Sequence, residues 1–267
     1  MKKGKETINE INAKNVLNGH LCFWWLGQHS FVVKTASKIF YLDPYLSENP
    51  DRLIKPLLNA TDVTNADFIT GSHDHEDHID RGALPLMMKA SPKCSLVIPN
   101  AVWKSLKEIG LDEARIIFLD DEKTYEDDGI KITGIKSAHE FFDRDEKDGY
   151  PYLGYVIEAD GVTIYHSGDT CVYDGMATRL KSWDITVAFL PINGRDAKRY
   201  KAGCIGNMTY QEAVDLAGSI KPRLTVPAHY EMFAMNTEDP KKFAEYMDVK
   251  YPELEYWIGE HGVAVGV

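Results

Sequence analysis

The sequence predicts an α/β fold in which sheets pack on each other and helices cover them. Two observations carry that expectation: short hairpin-type strands recur in both halves of the chain, and helical segments are interleaved with them in both. A third is that no Pro/Gly/Ser-rich linker and no repeat of 20–50 residues divides the 267 residues. One domain over residues 1–267 is therefore expected, since sandwiches of this length occur as single units.

Strands are predicted at Leu21–Leu26, Phe31–Thr35 and Lys38–Asp43, the first two joined by a Gly27-Gln28 turn and the third stopped by Pro44. A long loop with Pro44, Pro50 and Pro56 follows, then a short apolar strand, Asp67–Gly71, that runs into a histidine cluster. A helix from about Asp80 to Lys89, a strand at Ser95–Ile98 and an amphipathic helix at Ala101–Ile109, ended by Gly110, come next. Arg115–Leu119 and Ile130–Ile135 read as strands. In the second half Tyr152–Glu158 and Val162–Tyr165 flank Asp160-Gly161, a two-residue type I′ hairpin signal. Helices are expected at 172–181, Thr209–Ile220 and Lys241–Tyr246, and strands at Ile185–Leu190, Leu224–Val226 and Glu255–Ile258. The second of these helices carries a capping box, Thr209-x-x-Glu212.

Composition excludes several classes. Apolar residues are 44% and charged residues 27%, which argues against disorder. A formal charge of −11 repels phosphate backbones, so no nucleic-acid partner is expected. The longest apolar run, Leu21–Leu26, is far too short to span a membrane, and the polar start MKKGKETINEINAKN has no signal-peptide core. Cys22, Cys94, Cys171 and Cys204 are scattered and form no C-x-x-C pair. These readings give a cytoplasmic chain with no membrane partner, and leave homo-oligomerisation open.

The chemistry concentrates in Ser72-His73-Asp74-His75-Glu76-Asp77-His78. Three imidazoles and a carboxylate at H-x-H-x-D-H spacing, placed after an apolar strand, suit divalent metals that take nitrogen and carboxylate ligands together. His73 and His75 alternate and can face one ion; Asp77 and His78 follow on the turn and can face a second. Asp43, ending a strand before proline, is expected to orient a ligand imidazole by accepting its second N–H, with a turn aspartate as the alternative.

This pattern resembles the metallo-β-lactamase-fold hydrolases, whose H-x-H-x-D-H motif is followed by a lone His, an Asp in a G-D context and a last His. The matching residues are His139 in Lys136-Ser137-Ala138-His139, Asp169 in Gly168-Asp169-Thr170 and His229 in Pro227-Ala228-His229-Tyr230. The resemblance implies a four-layered αββα sandwich holding two divalent ions, Zn or Mn. His73, His75 and His139 would hold the first, Asp77, His78 and His229 the second, and Asp169 would bridge. Trp25-Leu26-Gly27-Gln28-His29-Ser30-Phe31, Leu42-Asp43-Pro44, Pro191-Ile192-Asn193-Gly194-Arg195 and Pro227–Phe233 look most like the UlaG-like branch, the cytosolic L-ascorbate-6-phosphate lactonase type. That branch places His29 and Asn193 at the cleft; for His29 a site role and a plain turn role stay open. His166 is expected to be a buried, hydrogen-bonded histidine rather than a ligand, and His20 and His261 structural or exposed.

Two divalent ions, two carboxylates and a hydroxide leave roughly +1 at the site, which suits an anionic small molecule. Arg195, Lys198, Arg199 and Lys201 lead into the capped helix, so Arg195 is a candidate phosphate contact, with a solvated loop as the alternative. The expected reaction is metal-assisted hydrolysis, opening a lactone or ester of a small, phosphorylated sugar acid. Asp77 or a metal-bound water would reprotonate the leaving oxygen; Tyr230 would donate to an oxyanion or else pack. A phosphodiesterase is the alternative enzyme, and a metal-stabilised binding protein the non-enzyme one. Di-iron oxygen chemistry is disfavoured because His75 stands where a carboxylate would favour iron.

Overall fold

Every residue of β1 (Cys22–Gly27) is buried, so this strand has no solvent face. Alternation still operates: Cys22, Trp24 and Leu26 enter one apolar core while Phe23 and Trp25 enter another. A strand that feeds two cores must lie in a sheet covered on both sides. The structure is a computed structural model that describes residues 4–267; residues 1–3 of the polar N-terminal stretch lie outside the described residues.

Around β1 the chain builds two sheets. β2 (Ser30–Lys34) and β3 (Ile39–Leu42) add antiparallel, and β4 (Phe68–Thr70), β5 (Ser95–Pro99) and β6 (Ile116–Leu119) follow in parallel. The second sheet starts as a meander of β7 (Thr124–Asp127), β8 (Ile130–Lys136), β9 (Leu153–Ala159) and β10 (Val162–His166). It continues in parallel through β11 (Val187–Pro191) and β12 (Leu224–Ala228). The last strand, β13 (Ala264–Gly266), returns to the first sheet beside β1. Asp160 and Gly161 join β9 to β10 with φ of 49° and 78°, the type I′ geometry their sequence signals.

Helices cover the outer faces. α1 (Lys5–Ala13), α2 (Leu84–Ala90) and α3 (Trp103–Leu106) lie over the first sheet, with Ile8, Ile11, Leu84, Met87 and Leu106 in the core that Trp24 enters. α4 (Met176–Leu180), α6 (Tyr210–Ile220) and α7 (Pro240–Lys250) cover the second sheet, and α5 (Ala197–Lys201) stands at the surface. The layers are α, β, β, α, the sandwich expected. Thr209 accepts from the amide of Glu212 while Glu212 accepts from the amide of Thr209, so the capping box is formed on both sides.

Several elements differ from the sequence reading. The polar N-terminal stretch forms α1, anchored by Ile8 and Ile11. The helix expected at 101–109 breaks into a 3₁₀ turn, α3 and a second 3₁₀ turn, because Val102 and Leu106 are its only fully buried apolar anchors. The helix expected from 172 begins at Met176, after Gly175 at φ 88°. The strand expected at 255–258 is a single bridge between Tyr256 and Thr225; Trp257 turns inward, edge-on to Phe23 and Trp25. Among the described residues no helix is long and apolar enough to cross a membrane.

Candidate metal centre

Strand ends supply the site. Asp43 follows β3, His73 lies three residues past β4, His139 follows β8, Asp169 follows β10, Asn193 follows β11 and His229 follows β12, while Gln28 and His29 form the β1–β2 turn. Side chains at the carboxyl ends of parallel strands meet where the sheets open, the usual place for a ligand site in such folds. Gly168 makes the closure possible. It sits at φ 57°, and a Cβ there would lie 2.6 Å from the Leu153 carbonyl and 2.8 Å from the Ser72 Cβ. That close approach seats Asp169 of the second sheet beside the histidines of the first.

Two sets of donors result. One ligand atom from each of His73, His75 and His139 lies within 4.8 Å of the others, and the same holds for Asp77, His78 and His229. In the first set His73 Nε2 is 2.9 Å from His75 Nδ1. In the second, Asp77 Oδ2 is 3.6 Å from His78 Nε2 and 3.7 Å from His229 Nε2. Asp169 stands between: Oδ1 is 3.4 Å from His78 Nε2, and Oδ2 is 3.0 Å from His229 Nε2 and 3.8 Å from His139 Nε2. A tetrahedral ion with bonds of about 2.1 Å separates its ligands by roughly 3.4 Å, so the second set fits a divalent ion. His78 Nε2 and Asp169 Oδ1 are buried without protein hydrogen-bond partners, which suits them to ligate a cation.

Three of the imidazoles are oriented by their other nitrogen, as metal-binding histidines usually are. His78 Nδ1 is 2.7 Å from Asp43 Oδ2, His73 Nδ1 is 2.9 Å from Ser72 Oγ, and His139 Nδ1 donates to the Gly206 carbonyl at 3.0 Å. The Gln28 amide donates to Asp77 Oδ2 at 2.9 Å and lies 3.2 Å from His229 Nδ1.

The electrostatics split the histidines. Burial drives His73 well below the ordinary imidazole value, lowers His75, and takes His139 down to about 4, so these rings are neutral at pH 7, the form that binds metal. Burial opposes charge on His78 as well, but Asp169, Asp77 and Asp43 together raise it well above its ordinary value. Asp169 itself is held well below the carboxylate range: burial works against its charge and His229 and His78 overcome that. Three buried or nearly buried carboxylates around one ring demand positive charge, which divalent ions would supply.

The remaining predicted residues fall in different places. His29 is fully buried with Nδ1 3.6 Å from Asp169 Oδ1, and its ring lies 4.1 Å from that of His166. His166 is itself buried and hydrogen-bonded, through Nε2 to the His29 carbonyl. Asn193 joins two loops, donating to Asn236 Oδ1 at 2.6 Å and accepting from Asn207 Nδ2 at 3.1 Å. Arg195 makes a two-pronged pair with Glu212, at 2.6 and 2.8 Å, and donates to the Asn207 carbonyl. Tyr230 packs its ring 4.7 Å from Trp25 with its hydroxyl buried and unpartnered. His261 stacks on Trp25 at 3.9 Å.

Sequence reasoning missed Gln28, Ser72, Gly206 and Tyr152. Tyr152 is half-buried, its ring centre 5.3 Å from those of both His73 and His139, so it walls the first donor set. Surface grooves of about 370 Å³, lined by Glu140, Phe141, Arg195 and Tyr200, and of about 420 Å³, lined by Arg199, Met235 and Thr237, include none of the donor residues in their walls.

The chain matches the family described as "Beta-lactamase superfamily domain" over residues 39–230. It is 32% identical over 220 residues to a UPF0173 metal-dependent hydrolase of Thermococcus kodakarensis, covering 82% of this chain and 88% of that one. A UPF0173 metal-dependent hydrolase of Methanosarcina mazei is 29% identical, with 85% and 90% covered. Among solved structures, the metallo hydrolase Igni18 of Ignicoccus hospitalis aligns with a TM-score of 0.74 at 22% identity, over 93% of this chain and 98% of that one. An isothiocyanate hydrolase from Delia radicum gut bacteria gives 0.71 at 18% identity, over 91% and 98%.

Proposed function

The chain belongs to the beta-lactamase superfamily and is a metal-dependent hydrolase, and on that premise we propose that it opens a small lactone or ester, a sugar-acid lactone first, at a binuclear centre. The observation that carries this reading is the pair of donor sets joined by Asp169. His73, His75 and His139 hold one ion, Asp77, His78 and His229 the other, with Zn or Mn as the metal. Divalent ions bound there supply Lewis acidity and bring the pKa of a water toward neutrality.

The protein's own groups do the rest. Burial keeps the first three imidazoles neutral, so their lone pairs stay available at physiological pH. Asp43 and Ser72 fix the His78 and His73 rings, which keeps the donor atoms in place through the reaction. Asp77, the most exposed carboxylate of the cluster at 18%, is the group that can exchange a proton with the attacking water and the leaving oxygen. Tyr152 forms a wall against which a sugar ring or ester chain can lie. Arg195 and Arg199 are already paired, with Glu212 and Asp196, so the lysines Lys198 and Lys201 are the nearby cations left for an anionic substituent.

The test combines metal analysis with turnover on sugar lactones and on bis(p-nitrophenyl) phosphate, before and after chelation. Chelator-sensitive lactone opening without diester cleavage is expected. Diester cleavage alone would replace this reading with a phosphodiesterase, and bound metal without either activity would favour a binding protein.

A further inference from the structure

We propose that His29 is a metal ligand through Nδ1, completing the donor set of the second ion with Asp77, His78, Asp169 and His229; this rests on the binuclear reading above. His29 is fully buried, yet neither ring nitrogen has a hydrogen-bond partner. An imidazole stripped of water on both sides is costly, at about 1–3 kcal/mol for each unmet polar group. Its backbone is fixed from beneath, where His166 donates to the His29 carbonyl at 2.9 Å and packs its ring, tilted by 38°, 4.1 Å from the His29 ring.

Three unpartnered buried atoms converge here: His29 Nδ1, His78 Nε2 and Asp169 Oδ1. Asp169 Oδ1 is 3.6 Å from the first and 3.4 Å from the second, and one ligand atom from each of the three residues lies within 4.8 Å of the others. A hydrogen bond from His29 to Asp169 would relieve two of them and leave His78 Nε2 unmet, because His78 Nδ1 is committed to Asp43. One cation satisfies all three, and these separations fall within the roughly 3.0–3.6 Å between neighbouring ligands of a five-coordinate ion with bonds of about 2.1 Å. Asp169 then presents Oδ1 to the side of His78 and His29 and Oδ2 to the side of His229 and His139. The second ion thereby gains one more protein donor than the first, so the open position for substrate falls at the ion of His73, His75 and His139, the one walled by Tyr152.

The test is metal binding. Competition of the purified protein with a chromophoric chelator should show two ions, and His29→Phe, which keeps an aromatic ring against His166, should hold the first ion as before and the second at least tenfold more weakly. In the cobalt-loaded wild-type protein, paramagnetically shifted exchangeable imidazole N–H signals should number six, for His29, His73, His75, His78, His139 and His229. Five signals would overturn the assignment whether or not His29→Phe folds. Two ions bound by the variant with unchanged affinity and an unchanged cobalt spectrum would also overturn it while leaving the binuclear reading intact. A wild-type chain that binds no metal would overturn both.

Discussion

Replacing Asp43 with Asn tests how the histidines are held. Asp43 is fully buried and uses both oxygens: Oδ2 meets His78 Nδ1 at 2.7 Å and Ser72 Oγ at 2.5 Å, and Oδ1 accepts from the Ser72 amide at 3.0 Å and Thr70 Oγ1 at 3.2 Å. An amide of the same shape puts an NH₂ group on one side. Turned toward His78, it faces the ring N–H; turned away, it faces the Ser72 N–H. Either way a buried donor loses its acceptor, which costs about 1–3 kcal/mol, and neutralising one partner of the buried pair moves the loss in the metal-free chain toward 3 kcal/mol. Freed from Asp43, the His78 ring loses its tautomer and its aim, so affinity for the second ion should fall roughly 10–100-fold. Chelator competition and urea denaturation, with and without metal, measure both effects. The charge on Asp43 is opposed by burial and sustained by His166 and His78, which hold its pKa below the ordinary value. A depressed carboxylate stabilises the fold above the unfolded pKa of about 3.9 and loses that contribution as pH falls through the folded value. The stability gap between the two proteins should therefore be widest near neutrality and close in strong acid. Equal metal affinity and equal denaturation midpoints at pH 7 would refute the argument.

Asp169→Ala should lower the affinity for both ions, since Oδ1 lies beside His78 of the second set while Oδ2 reaches both His229 of the second and His139 of the first; loss of one ion alone would refute the bridging assignment. The metal-free chain should weaken as pH falls from about 6.5, because the unfolded state takes up protons that buried His139 refuses until about 4, at about 1.4 kcal/mol per pH unit for such a ring. Urea midpoints at pH 7, 6 and 5 check this, and midpoints that do not move would sink it. Arg195→Ala should lower turnover of phosphorylated and unphosphorylated substrates by the same factor. Arg195 is held by Glu212 and packs against Gly206, whose carbonyl orients His139, so its loss acts through the first ion. A loss confined to the phosphorylated substrate would restore the phosphate contact instead.

What could be read from sequence was whatever repeats along the chain. The alternating and continuous apolar runs place β1 to β6 and β8 to β12 to within a few residues, and Asp160-Gly161 and the Thr209–Glu212 box mark a turn and a helix start by local chemistry alone. The failures are segments whose state depends on distant partners. β13 is three residues that exist as a strand only because β1 offers an edge, and β7 is a polar strand, exposed or half-buried throughout, whose side chains give no periodic signal. Residues 255–258 have strand composition, but the pull of the aromatic core on Trp257 outweighs continued pairing beside Thr225.

The site divides the same way, by how far a residue's role depends on neighbours remote in sequence. The histidines and carboxylates stand out because metal ligation permits few residue types at fixed spacing. Gln28, Gly206 and Tyr152 do not, since an amide, a backbone carbonyl and an aromatic ring have many uses and become specific only when the fold brings them to Asp77, His139 and His73. Backbone strain marks one of them, Gln28, together with Asp43 and the ligand His229. Gln28, Asp43 and His229 have φ of 52°, 43° and 63°, a region that L-residues adopt at a cost of about 1–3 kcal/mol each. The His229 amide is tied to the Gln28 carbonyl at 2.9 Å, so two of these strained residues hold each other in place. Glycine would relieve the strain at all three positions but would carry no carboxylate, amide or imidazole. At these three positions strain is sustained by β1, β3 and β12, buried strands that end there and cannot shift without disturbing the apolar cores.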